Sequence, residues 1–185
     1  MLKIDPHVSW DVLRERAAAT QNPRHKKLLS EVANHMEAEI KGQLEPLMNT
    51  LTAEPVYHFW RPDGQSMVLQ GHDAVAGFYQ TMFESRGQQF QVVIDRVVVD
   101  DGAVITEGQV KQVHSSAALQ AQGVQEINGT AVTDHELWLT NAQLITVWPA
   151  DDDAKLIGED IYFGEDALST AQPIQRSELP DYFIL

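Results

Sequence analysis

Gly158-Glu159-Asp160-Ile161-Tyr162-Phe163-Gly164 (GEDIYFG) is the stretch whose reading decides the fold. Strand alternation puts Ile157, Glu159, Ile161 and Phe163 on one face and Gly158, Asp160 and Tyr162 on the other. The first face is apolar except for one acid. The stretch therefore reads as the last strand of a sheet, with Glu159 either turned into what the sheet encloses or left at its watery side.

Working outward, Lys155 to Phe163 pairs with Glu136 to Trp148 across the polar turn PADDDA, giving one long hairpin. A second hairpin joins Gln89–Val99 to Ala103–Val113 through the tight-turn signal Asp101-Gly102. Earlier, Pro55 to Trp60 (PVYHFW) is aromatic and β-favouring, leaves by the turn RPDG, and returns briefly over Ser66–Leu69. Gly71 and Asp73 then open a helix, GHDAVAGFYQTMF, whose Val75, Phe78, Tyr79 and Met82 share a face.

The first 51 residues are helical in pattern. Ser9 caps WDVLRERAAA, and Pro23 starts a long amphipathic helix with Leu28, Leu29, Val32, Met36 and Ile40 in its stripe, stopping near Gly42. A shorter helix follows over Leu44–Leu51. Ser115 to Asp134 is too long and polar for a bare loop, and is either a structured insertion or a mobile flap. The tail, 165–185, closes on DYFIL, an apolar ending that docks on the body or on a second subunit.

With 185 residues, 43% of them hydrophobic and 22% charged, the chain fits a single domain, 1–185, with an ordinary core. Its parts are helices over 9–51, a curved sheet with one inserted helix over 53–164, and the tail. The formal charge of −14 repels phosphate backbones and anionic membranes, and the only basic group is Arg24, Lys26 and Lys27, so neither nucleic acid nor membrane is expected as a partner. No apolar run is long enough to span a bilayer, and MLKIDPHVSW lacks a secretory pattern, so the expected location is the cytoplasm. Cysteine is absent, which excludes disulfides, thiolate metal sites and a cysteine nucleophile.

The order of helices, PVYHFW with RPDG, the GHDAVAGFY helix, two long hairpins and the closing GEDIYFG resembles the nuclear transport factor 2-like superfamily. Its members include SnoaL-like polyketide cyclases, ketosteroid isomerase and scytalone dehydratase. The resemblance covers 28–164. It implies an α+β roll of the cystatin-like kind: a cone-shaped, strongly curved, mainly antiparallel sheet packed against N-terminal helices, with an apolar pocket for a small organic ligand. It also implies a homodimer formed through the outer sheet face.

Two residues are candidate acid–base groups. Burial of a carboxyl in apolar surroundings raises its pKa, which would suit Glu159 to proton transfer near neutrality if its face lines the pocket. His58 falls where ketosteroid isomerase carries its base, although a one-residue slip puts Phe59 there instead and turns the side chain to the other face. That enzyme's oxyanion-stabilising aspartate falls near Leu144, which cannot donate a hydrogen bond, so steroid isomerisation by that arrangement is not implied. Thr140, Asn141 and Thr146 offer polar contacts from the same strand.

Tyr57, Trp60, Tyr79, Trp138 and Trp148 supply aromatic wall or core, and Tyr57, Trp60, Tyr79, Ile161 and Phe163 are the candidate ligand contacts. No HExxH or close histidine pair occurs, and Asp134-His135-Glu136 cannot converge on one face, so neither metal nor cofactor is expected. The expected function is cofactor-free cyclisation, isomerisation or dehydration of an apolar carbonyl compound. The alternative is a non-catalytic ligand-binding or dimerisation module of the same fold.

Overall fold

A computed structural model of the chain describes residues 1–184; the last residue of the DYFIL ending lies outside the described residues. Three helices come first: α1 (Asp11–Ala19), α2 (Pro23–Ile40) and α3 (Leu44–Met48). Asn22 caps α2 by accepting from the backbone N–H of Arg24 and His25, with Pro23 in the first turn, where its missing donor costs nothing. Ser9 does not cap α1. Its hydroxyl is buried, donating to Pro6 O at 2.8 Å and accepting from Val92 N at 3.1 Å, so it ties the N-terminal turn to the sheet instead.

The sheet is curved and unclosed. Its six main strands are β1 (Leu51–Trp60), β2 (Ser66–Gln70), β3 (Phe90–Val99), β4 (Ala103–Ser115), β7 (Leu137–Pro149) and β8 (Leu156–Phe163), in the order β2-β1-β8-β7-β4-β3. All neighbours are antiparallel except β1 and β8, which run parallel. Helix α4 (His72–Glu84) follows β2, with Gly71 at φ 87° before it. The concave face and the helices share one core that includes Leu28, Leu29, Val32, Met36, Val75, Tyr79 and Trp148.

The sheet bends where its ladder is irregular. In β3 the register shifts between Ile94 and Arg96, opposite Gly108, where a Cβ would meet Val93 O at 1.9 Å. A second shift lies between β1 and β8: Leu51 pairs with Leu156, but Val56 pairs with Gly158.

The Ser115–Asp134 stretch is a structured insertion. Helix α5 (Ser116–Ala121) is followed by a small hairpin, β5 (Glu126–Ile127) and β6 (Thr130–Ala131), turning at Asn128-Gly129 with φ of 50° and 81°. Leu119, Ile127, Val132, Trp138 and Ala171 close over it as a separate apolar cluster. The tail docks on the body: β9 (Gln172–Ile174) pairs with β7, and Ile174 and Leu179 pack with Ile4, Leu137 and Leu139. Among the described residues no helix is long and apolar enough to cross a membrane.

Candidate functional site

Residue pairing decides which side chains enter the concave space. Tyr57 sits opposite Glu159 and Phe59 opposite Ile161, so the odd-numbered positions of β1 and of β8 from Glu159 onward point inward together. They line a cavity of about 300 Å³ with Phe163, Phe78, Tyr79 and Met82, closed on the helical side by Met36 and Glu39 of α2. Glu159 is 5% exposed in this apolar setting.

Glu159 is not alone. Its Oε1 accepts from the Tyr79 hydroxyl at 3.0 Å and lies 3.2 Å from His35 Nε2. Tyr57 OH is 3.2 Å from the same Nε2 and 3.1 Å from Tyr79 OH. On the other side of the imidazole, Nδ1 is 2.6 Å from Thr50 Oγ1, whose own proton goes to Leu47 O at 2.6 Å. Because that hydroxyl has spent its proton on the carbonyl, it must accept from Nδ1–H. Nε2 faces the two phenols and the Glu159 carboxyl, and Trp148 meets the imidazole edge-on at 5.6 Å.

Glu39 completes the group. It follows His35 by one helical turn, so both reach the same side of α2. Burial, and then the Glu159 carboxylate, push the Glu39 carboxyl well above the usual range. None of the described residues hydrogen-bonds its side chain. Tyr57 and Tyr79 are pushed up for the same two reasons, burial first, so both phenols keep their protons.

Ligand-capable atoms of His35, Glu39 and Glu159 all lie within 4.8 Å of one another, a donor set that a divalent cation could use. Nε2 and the Glu159 Oε1 already have the tyrosine hydroxyls against them, so a cation would have to displace those hydrogen bonds.

Of the residues singled out in the sequence, Glu159, Tyr57, Tyr79, Ile161 and Phe163 meet in this cavity, and Leu144, Thr140, Thr146 and Trp148 line it as well. His58 and Trp60 do not. The Tyr57–Glu159 register turns them to the outer face, where His58 Nδ1 bonds Asp160 Oδ1 at 2.6 Å and Trp60 stacks between His58 and Tyr162. His58 therefore cannot share a substrate with Glu159, and Trp60 cannot contact a ligand inside.

Ile157 is also outside, at 39% exposure, because the register shift before Gly158 breaks the alternation that would have put it beside Glu159. Trp138 belongs to the insertion's cluster and donates to Val132 O at 3.2 Å. Asn141 bonds Gln109 Oε1 at 2.7 Å, and Glu136 pairs with Arg176 at 3.0 Å.

The residues missed from sequence are His35, Glu39 and Thr50. A signal existed: His35 falls three positions after Val32 and Glu39 three after Met36, inside an otherwise apolar stripe. Polar residues there are anomalous unless they face one another.

The chain matches the family model of the SnoaL-like domain over residues 32–148. No curated protein sequence matches it. Among solved structures it is similar to a candidate SnoaL-like polyketide cyclase from Shewanella putrefaciens, at 11% identity and TM-score 0.60, covering 85% of this chain and 90% of that one. It is also similar to an NTF2-like protein from Anabaena variabilis, at 15% identity and TM-score 0.53, with coverage of 80% and 96%. SalBIII, an epoxide hydrolase/cyclase-like enzyme of pyran ring formation in the polyether salinomycin, matches at 11% identity and TM-score 0.53, with coverage of 80% and 97%. At these identities the neighbours establish the fold, and the domain match covers more than half of the sequence: the chain belongs to the SnoaL-like domain family.

Proposed function

We propose that the protein is a cofactor-free acid–base catalyst that cyclises, isomerises or dehydrates an apolar carbonyl compound. The observation that carries this reading is the placement of Glu159: 5% exposed, at the wall of an apolar cavity, and hydrogen-bonded to a phenol in contact with an imidazole anchored through Nδ1 to Thr50.

Two carboxyls facing one space favour a state in which one holds a proton and the other does not. Burial pushes the Glu39 carboxyl upward, which suits it to proton donation, and in this reading Glu159, set at the cavity wall, is the acceptor. In an enolisation, Glu159 takes a proton from the carbon beside the substrate carbonyl. The carbonyl oxygen, as it gains charge, receives a hydrogen bond or proton from Glu39. Tyr57 and Tyr79 stay neutral and act as donors, while His35 holds the phenols and Glu159 in one geometry. The ring-forming chemistry described for SalBIII is of a compatible class, and the apolar lining suits an uncharged substrate.

The test is a thermal-shift screen of cyclic ketones and lactones, followed by turnover of any hit with the wild type and Glu159→Gln. Removal of the base is expected to cost about 10²-fold or more in kcat with ligand affinity kept within a few-fold. Turnover should survive EDTA. Equal kcat in the variant would return the cavity to simple ligand binding, and loss of turnover in EDTA, restored by zinc, would hand His35, Glu39 and Glu159 to a metal.

A further inference from the structure

One row along the cavity from Glu159 stands a polar group that the acid–base cluster does not use. Phe59, Ile161, Thr146 and Thr106 are register partners across β1, β8, β7 and β4, and all four line the cavity. Thr146 is 4% exposed as a residue; no described residue hydrogen-bonds its hydroxyl, which is open to the cavity and is not one of the sealed unpartnered atoms, Gln88 Oε1 and Asn141 Oδ1. Thr106, 3% exposed, accepts from Trp148 Nε1 at 3.1 Å, and that bond leaves its own proton unspent.

A hydroxyl that faces a cavity without a protein partner takes its partner from whatever fills the cavity, water or a ligand oxygen. Here two neighbouring hydroxyls on paired strands have bonding capacity left over and share one apolar space. Core packing does not account for this: valine has nearly the same shape and no hydroxyl to satisfy. A ligand oxygen does.

We infer that Thr146 and Thr106 form a second polar subsite, which binds a hydroxyl oxygen of a ligand whose carbonyl lies at the Glu39–Glu159 end. The reasoning rests on the reading of the cavity as a ligand site. Ile161 is two residues beyond Glu159 on β8, a step of about 7 Å, and Thr146 lies about 4.8 Å to its side on β7, which puts the two polar positions about 8 Å apart. The substrate class is therefore a small, uncharged, largely apolar ring system with two oxygen functions about 7–8 Å apart, one reacting and one anchoring. Thr146 is a positioning residue in this scheme: it fixes which carbon is presented to Glu159 and has no share in the proton transfer.

The experiment measures binding, so it does not depend on turnover. Two probes are titrated by calorimetry into the wild type and Thr146→Val: α-tetralone, and its analogue with a hydroxyl on the far side of the aromatic ring. The wild type should prefer the hydroxylated probe by about tenfold, the size of one well-made buried hydrogen bond. Thr146→Val should lose that preference while binding the parent ketone as before, with Tm held because valine fills nearly the same volume.

Loss of affinity for both probes alike, or a preference that survives the substitution, would overturn the subsite. Thr106→Val serves as an independent repeat, with the same expectation for discrimination. Equal binding of the two probes by the wild type would sink the inference while leaving the acid–base reading standing. Failure of either probe to bind at all would count against both.

Discussion

Glu39 departs from the ordinary behaviour of a carboxyl, and it ties stability to function. Its carboxyl is pushed up in the folded protein by burial and by Glu159. Between the unfolded value and that raised value the native state holds a proton that the unfolded chain has lost. The favourable contribution is therefore fully present below the unfolded carboxyl range and drains away as pH rises through the folded pKa. Glu39→Gln, which needs no proton, should raise Tm at neutral pH, with the gain shrinking toward the acidic end of the range. Each kcal/mol recovered is worth about 2–4 °C for a chain of this length. The same variant should turn over more slowly, since an amide cannot deliver the proton. Paired melts at pH 5 and 7.5 check the first part; a constant difference, or a gain at the acid end alone, would refute the assignment. Glu159 was legible in the sequence because one strand face held a single acid. Of its partners, Tyr79 was named as well, but His35 and Glu39 were not, because they lie on a helix more than a hundred residues away and only the fold shows that the stripe they interrupt faces that strand.

At the scale of elements, β8 shows where reading by alternation works and where it stops. From Glu159 to Phe163 the period of two holds, and Glu159, Ile161 and Phe163 share the cavity. Before Gly158 it fails, since a change in pairing partner is invisible to a period count. Gly158 makes the change possible: its φ is 156°, and a Cβ there would sit 1.8 Å from Val56 O. Backbone, not a flexible side chain, is what it would strike. Gly158→Ala is thus expected to destabilise by about 4 kcal/mol or more, among the largest single-residue effects, and to disturb the pose of Glu159 next to it. Chemical denaturation reads the cost, and a loss below about 1 kcal/mol would contradict the geometry. The hairpins, the inserted helix and the long N-terminal helix were readable from turn signals and periodicity. His58 was not placed correctly because a one-residue ambiguity in β1 selects between two faces, and the Tyr57–Glu159 register chose the other. His58→Ala should accordingly leave kcat within about twofold and cost no more than about 1 kcal/mol, the value of a part-exposed ion pair.

Across the whole molecule, the outer face of the sheet presents a pattern that the inner site does not need. One register row crosses all six strands as Val68, His58, Asp160, Val147, Ile105 and Val98, and beside it Trp60 and Tyr162 stack with their rings half exposed. Beyond Tyr162 that second row continues into Ile145 and the Glu107–Arg96 ion pair, so the apolar part of the face is the patch around the His58–Asp160 pair, which would be exposed in an isolated chain. We propose that a second copy covers it, forming the dimer that the fold resemblance implied. A two-fold axis there brings like residues together, so a single charge introduced at the centre is met by its own copy. Tyr162→Glu should therefore convert a species of twice the chain mass into a monomer, read by light scattering on a sizing column, while the concave cavity on the opposite face keeps its ligand affinity. Charge adds a second handle. Each subunit carries −14, so association works against long-range repulsion that salt screens within about 8–10 Å. The dimer should tighten as salt is raised from low ionic strength. A wild-type protein that runs as a monomer at every salt concentration would show that this face is simply a solvated sheet.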